Sequence, residues 1–256
     1  MDMLTPIWNY TKANVVDCIP SKNGRRLIGE HSNEHYWLLE ERTKRLVRSM
    51  IQEIDDVHEQ GFCLSSFSYN NWFVNSKGSA VYKGMTLIQK NEASIKKNYS
   101  DLHAVILKTI FRNQSIQQIP QDFKALLALM KHRPIGNSYL MRNYAALLPI
   151  ENRIQFFMKA YELINFHLGW LDEGMKNRIL SKLPYSKRWA EIVKGNGLLE
   201  YHFHYKTRDT SGSAEGFMEF YRDSNYHRMD ICHQLPDVGE YDAEEYETVF
   251  LVKYPL

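Results

Sequence analysis

"LPIENRIQFFMKAYELINFHL", residues 148–168, is the stretch on which the reading of this chain turns. Ile154, Phe157, Met158, Tyr161 and Ile164 recur every three or four positions, which places them on one face of a helix. The helical region that opens here follows a Leu-Leu-Pro junction, and a domain boundary is expected at Leu147–Pro149.

Toward the C-terminus, "DEGMKNRILSKL" (172–183), "KRWAEIV" (187–193), "FMEFYRDSNYHRM" (217–229) and "DAEEYETVFLVKY" (242–254) each have helical character. Toward the N-terminus, "YWLLEERTKRLVRSMIQEIDDVHEQGF" (36–62) sets Leu39, Leu46, Met50, Ile54 and Val57 at helical spacing, with Gly61 where a helix would stop. "NWFVNSKGSAVYKG" (71–84) reads as a short hairpin turning at Ser76-Lys77-Gly78. "YSDLHAVILKTIF" (99–111) predicts a buried helix capped by Ser100 or Asp101. "PQDFKALLALMKH" (120–132) predicts another, with Pro120 at its start and Leu126, Leu127, Leu129 and Met130 facing inward. Residues 1–35 show no sustained period and contain the turn material "PSKNGRR", so an irregular lead-in is expected there. The predicted architecture is mainly α: a helical region with a small hairpin over 36–148, then an all-helical region over 149–256.

The composition is that of a globular protein, with 44% hydrophobic and 24% charged residues among 256. No segment approaches the roughly 20 apolar residues that span a bilayer, and the start has no leader-like pattern, so a cytoplasmic protein is expected. Cys18, Cys63 and Cys232 are odd in number and far apart, which fits reduced thiols better than a disulfide framework. Residues 150–256 carry 13 Lys and Arg against 17 Asp and Glu, and the net charge of +2 leaves +6 for residues 1–149. Asp237, Glu240, Asp242, Glu244, Glu245 and Glu247 crowd the C-terminal end. Bulk charge therefore gives no argument for nucleic acid, and any RNA contact has to be a local patch.

Three constellations carry chemistry. "FYRDSNYHRMD" (220–230) gathers Arg222, Asp223, Tyr226, His227 and Arg228 within seven positions, a pattern that suits either a solvated helix face or a site for phosphate chemistry. "HFH" places His202 and His204 in alternation; with His227, Cys232 and His233 they would make a zinc-type donor set if they shared a strand face, but ordinary surface histidines fit as well. Lys176, Arg178, Lys182, Lys187 and Arg188 interleave with Leu180, Leu183, Tyr185 and Trp189, either to draw in an RNA backbone or as a charged face over an apolar one.

The order long helix, "VHEQGF", hairpin, buried helix resembles the C-terminal lobe of a protein kinase. In "CLSSFSYNNWFV" the family's catalytic Asp falls on Ser66, its Lys on Ser68 and its Asn on Asn71; Asp101 matches the Asp that opens the buried helix. No Asp stands near "VYKGM" to hold a metal, and no glycine-rich loop or paired lysine precedes Tyr36, so kinase activity is expected to be absent.

"LLPIENRIQFFMKAYELI", Trp189, "LLEYHFHYK", "GFMEFYRDSNYHRM" and "EYETVFLVKYPL" together resemble, in order and spacing, the kinase-extension nuclease (KEN) part of the inositol-requiring kinase/endoribonucleases of the unfolded-protein response. The oligoadenylate-activated ribonuclease shares this extension. The resemblance covers roughly 36–256. It implies a degenerate kinase-like region joined to a KEN-type ribonuclease domain that is short at its C-terminus, with RNA as partner, no metal or cofactor, and dimers with itself or with full-length relatives.

The family's Arg-Asn-x-x-His-His signature meets Arg222-Asp223-Ser224-Asn225-Tyr226-His227, keeping the arginine and the second histidine. By resemblance His227 is the general acid, Tyr205 the base or its positioner, and Arg222 the phosphate clamp. Asp223 replaces a neutral amide. It is expected to pair with His227 at i,i+4 while repelling the phosphodiester, so cleavage is expected to be weak or lost. A catalytically dead scaffold that regulates full-length relatives is the alternative reading.

Overall fold

The computed structural model describes residues 4–12, 16–19, 36–183, 189–193, 197–205, 212–228, 230, 246–247 and 250. In the first unit the elements run β1 (Thr5–Pro6), α1 (Ile7–Tyr10), β2 (Val16–Ile19), β3 (Tyr36–Leu39), α2 (Glu41–Glu59), β4 (Phe62–Leu64), β5 (Trp72–Val74), β6 (Ala80–Tyr82), β7 (Leu87–Gln89), α3 (Glu92–Thr109), α4 (Gln121–His132) and α5 (Ser138–Arg142). The second unit holds α6 (Ile150–Glu162), α7 (Gly169–Leu171), α8 (Glu173–Leu180), α9 (Trp189–Val193), α10 (Gly197–Tyr205) and α11 (Ala214–Tyr226). The division falls between Pro149 and Ile150. The described residues are mostly helical, as the apolar spacing predicts.

Leu46, Met50, Ile54 and Val57 form the buried stripe of α2, whereas Leu39 lies just upstream in β3. Gly61 takes φ +85°, a left-handed conformation open to glycine, and the chain leaves the helix there. The hairpin β5–β6 pairs Trp72 with Tyr82 and Val74 with Ala80. Its turn is held by Asn75, whose side chain accepts from Lys77 N (2.9 Å) and Ser79 N (3.0 Å). Gly78 sits there at φ +80°, where a Cβ would also come within 3.2 Å of the Tyr10 hydroxyl.

Two expectations are corrected. The lead-in over 1–35 is not irregular throughout: β1 pairs antiparallel with β5, and β2 pairs with β3. The cause is Ile7, which is fully buried in the first core and anchors the start of the chain. The buried helix does not open at Ser100 or Asp101. It begins at Glu92, where Asn91 and Ser94 form a reciprocal cap, Ser94 N to Asn91 Oδ1 and Asn91 N to Ser94 Oγ, each 2.9 Å.

Asn98, fully buried on α3, ties three segments together. Its Oδ1 accepts from Leu64 N (2.9 Å) and meets His58 Nε2 (3.1 Å), and its Nδ2 donates to Leu64 O (2.7 Å). Burial lowers the His58 pKa, against the opposing effect of the Asn98 bond, so the imidazole is held neutral between α2 and β4.

In the second unit α6 passes through a π-helical turn, Leu163–Leu168, into α7. Tyr161 and Ile164 bury themselves against Met218, with Phe157, Ile179, Leu180 and Leu183 packed around them. A larger aromatic core gathers Trp189, Leu198, Leu199, Phe217, Phe220, Tyr221, Tyr246 and Phe250. Outside both, Phe156, Leu163, Phe166, Trp170 and Leu171 are exposed, Trp170 at 89%.

Candidate functional site

Helix α11 carries Arg222 and Asp223 of the four expected site residues, and a third, His227, is its C-cap. Ser213 caps it by accepting from Gly216 N at 3.0 Å. Phe217, Phe220, Tyr221 and Ser224 recur at i, i+3, i+4 and i+7, and all four are buried. Met218 turns toward Tyr161, which brings Arg222, one turn later, against α6.

Arg222 is engaged on two sides. Its Nε and Nη2 donate to Asp223 Oδ1 at 2.9 and 2.6 Å, and its Nη1 donates to the Tyr161 hydroxyl at 2.7 Å. The guanidinium also lies 4.7 Å from the Tyr161 ring centroid. Burial works against the charge of Arg222, but Asp223, by hydrogen bond and by charge, outweighs it and raises the pKa further. Burial likewise pushes the Tyr161 phenol up, and the nearby guanidinium only partly offsets this. Tyr161 is therefore a neutral acceptor for the Arg222 N–H.

The expected Asp223–His227 pairing is corrected. Asp223 Oδ1 lies against the neighbouring guanidinium, and His227 finds its partner further along, Nδ1 to Asp230 Oδ2 at 3.0 Å. The reason is local. His227 is the C-cap of α11, at φ −101° and ψ 11°, and its backbone N–H closes the helix on Asp223 O at 3.0 Å. With Nδ1 engaged by Asp230, Nε2 is the ring nitrogen left to face outward chemistry. His227 follows Arg222 by five positions, about 140° around the helix axis. Tyr205 ends α10; its side chain lies outside the described residues.

The "HFH" alternation is not a strand. It lies in α10, where two residues' separation turns His202 and His204 about 200° apart, one buried and one exposed. Cys232 and His233 lie outside the described residues. No group of three His, Cys, Asp or Glu suited to a metal occurs among those described. In the basic run, Lys176 is committed to Glu215 at 2.6 Å, and Arg178 contacts the sulfur of Met175. Leu180 and Leu183 serve the core around Tyr161, whereas Tyr185, Lys187 and Arg188 lie outside the described residues.

In the first unit, the loop on which the kinase correspondence rests is tied down structurally. Ser66 Oγ and Phe67 N both donate to Asp101 Oδ2 at 3.3 Å, and Asp101 also pairs with Lys97. Asp101 stands in the middle of α3, not at its opening. Asn71 Oδ1 accepts from Ser68 N (3.0 Å), and its Nδ2 donates to Lys83 O (3.2 Å), so its amide braces the turn against the hairpin.

Two groups that matter here were not singled out from the sequence. Tyr161 appeared only as part of an apolar stripe, and nothing in local spacing links it to an arginine 61 positions away. Glu247 was one acid among six, yet it is buried, accepts from the Tyr221 hydroxyl, and is raised by burial to about pKa 7 against the opposing Tyr221 bond and Arg153 charge. Comparison with protein-family models returns no match, and no curated protein matches the chain.

Proposed function

We propose that this chain is a kinase-inactive, RNA-directed protein of the kinase-extension nuclease type whose cleavage site is self-neutralised. The observation that carries this reading is the Arg222 guanidinium, bonded by Asp223 at 2.6 and 2.9 Å and by Tyr161 at 2.7 Å. The reaction would be attack of the 2′-oxygen on phosphorus with loss of the 5′-oxygen, leaving a cyclic phosphate and a 5′-hydroxyl. His227 would protonate the departing oxygen, Tyr205 would take or position the 2′-hydroxyl proton, and Arg222 would hold the phosphorane. An ion-paired clamp offers less field to a phosphate, and the Asp223 carboxylate repels it. Removing one oxyanion donor typically costs about 3 kcal/mol, or 100-fold or more in rate.

A gel assay on a structured RNA in EDTA tests the reading. Wild-type protein should cleave weakly, Asp223→Asn at least tenfold faster, and His227→Ala in the Asp223→Asn background not at all. Absence of cleavage in every variant would remove the nuclease reading. A second reading, a scaffold that docks with a copy of itself or a full-length relative, is favoured by the exposed Phe156, Leu163, Phe166, Trp170 and Leu171. Under it, sedimentation shows a dimer that Trp170→Glu returns to monomer.

A further inference from the structure

Trp8, Tyr69, Lys108 and Arg112 form a second cluster, carried wholly by the first unit. Ile7 and Thr11 bury one side of the single turn α1, with Thr11 Oγ1 bonded to Ile7 O at 3.0 Å. The other side presents Trp8, 38% exposed. Tyr69 stands beside it in a short turn capped by Ser68, with ring centroids 5.3 Å apart and planes inclined by 34°. Two cations, Lys108 in the last turn of α3 and Arg112 just past its end, lie over these rings. The Arg112 guanidinium is 4.3 Å from the Trp8 ring centroid and donates to Trp8 O at 3.2 Å; the Lys108 ammonium is 4.8 Å from that of Tyr69. Among the described residues neither cation has a carboxylate in ion-pair range, whereas Lys97, earlier on the same helix, is neutralised by Asp101.

We propose that this cluster is a binding platform for single-stranded nucleic acid, on which one or two bases stack against Trp8 and Tyr69 while the adjoining phosphates meet Lys108 and Arg112. Two neighbouring rings, inclined by 34°, call for planar faces, and two cations without counter-ions among the described residues call for a repeating anion. A single strand supplies both at nucleotide spacing. A duplex hides its base faces, and an acidic peptide satisfies the cations but leaves the rings against water. Tyr69 also packs against the core and Arg112 also holds the backbone of α1, but Trp8 lies outside that core and Lys108 is exposed, and the loop is already held by Asp101 and Asn71. This inference shares with the cleavage reading only the nucleic-acid ligand, and it stands if α11 cuts nothing.

Fluorescence anisotropy of the full chain with a labelled ten-nucleotide 2′-O-methyl oligouridine, which 2′-hydroxyl chemistry cannot cut, is the test. A DNA oligothymidine arm distinguishes the two sources of the strand, and binding of either supports the platform. Trp8→Ala and Tyr69→Ala should each raise Kd about tenfold or more, and Trp8→Phe should stay close to wild type. Lys108→Gln, an exposed change away from α1, should lower the slope of log K against log salt by about 0.7. Four results overturn the proposal: no binding by the wild type, unchanged binding in Trp8→Ala, Tyr69→Ala and Lys108→Gln together, equal binding of a duplex, or displacement of the probe by polyglutamate as readily as by unlabelled oligonucleotide. Cleavage by Asp223→Asn and binding by the Trp8 series are separate readouts, so either can fail while the other stands.

Discussion

A guanidinium has five N–H donors, and three of those on Arg222 are directed at Asp223 and Tyr161. Asn at position 223 keeps a carbonyl oxygen for one of these bonds but removes the charge, which is why Asp223→Asn is the informative change and Asp223→Ala is not. Glu247 makes a different residue-scale prediction. Its carboxyl, usually near 4.5, stands at about 7 when folded, chiefly through burial. A carboxyl raised on folding holds its proton in the folded state across that window. Its contribution is therefore fully favourable below about pH 4.5 and is lost progressively as the pH rises to about 7. The shift corresponds to about 3 kcal/mol. Glu247→Gln should match the wild type near pH 4.5 and exceed it by up to that amount above pH 7 in urea unfolding followed across pH; a constant offset at all pH values would contradict the assignment.

At the scale of elements, α3 shows what tertiary contact adds to a helix. Asn98 has unfavourable helix propensity and is fully buried, yet its amide satisfies both backbone groups of Leu64 and the His58 ring. Asn98→Leu strands all three partners and should lower stability by about 3 kcal/mol, with the denaturant midpoint as the measure. Periodicity alone located α2, α4 and α6 because each has an apolar stripe facing a core. It missed the first eight residues of α3, "EASIKKNY", whose few buried positions, Ser94, Asn98 and Tyr99, are mostly polar and become visible only through their partners. It misread "HFH" for the converse reason: His, Phe, His alternates in letters, while the helix around it is fixed by Leu198, Leu199 and the aromatic core.

For the whole molecule, the mainly helical character was readable from the text, because helical spacing is a local signal. The candidate site was readable only as a list of residues. Which carboxylate Arg222 takes, and which His227 takes, depends on where α11 ends and on how α6 lies along it, neither of which the sequence states. Ile7 and Trp8 belong to the same class: a four-residue helix has too little sequence for a period, and its place is set by the core that receives it.

Cys63 lies fully buried in the first unit, with the Ser94 hydroxyl of the α3 cap 3.2 Å from its sulfur. A thiol so enclosed reacts with an alkylating reagent only while β4 and the start of α3 part. In a chain whose other two cysteines are replaced by serine, the alkylation rate becomes an internal clock for how often that half of the molecule opens.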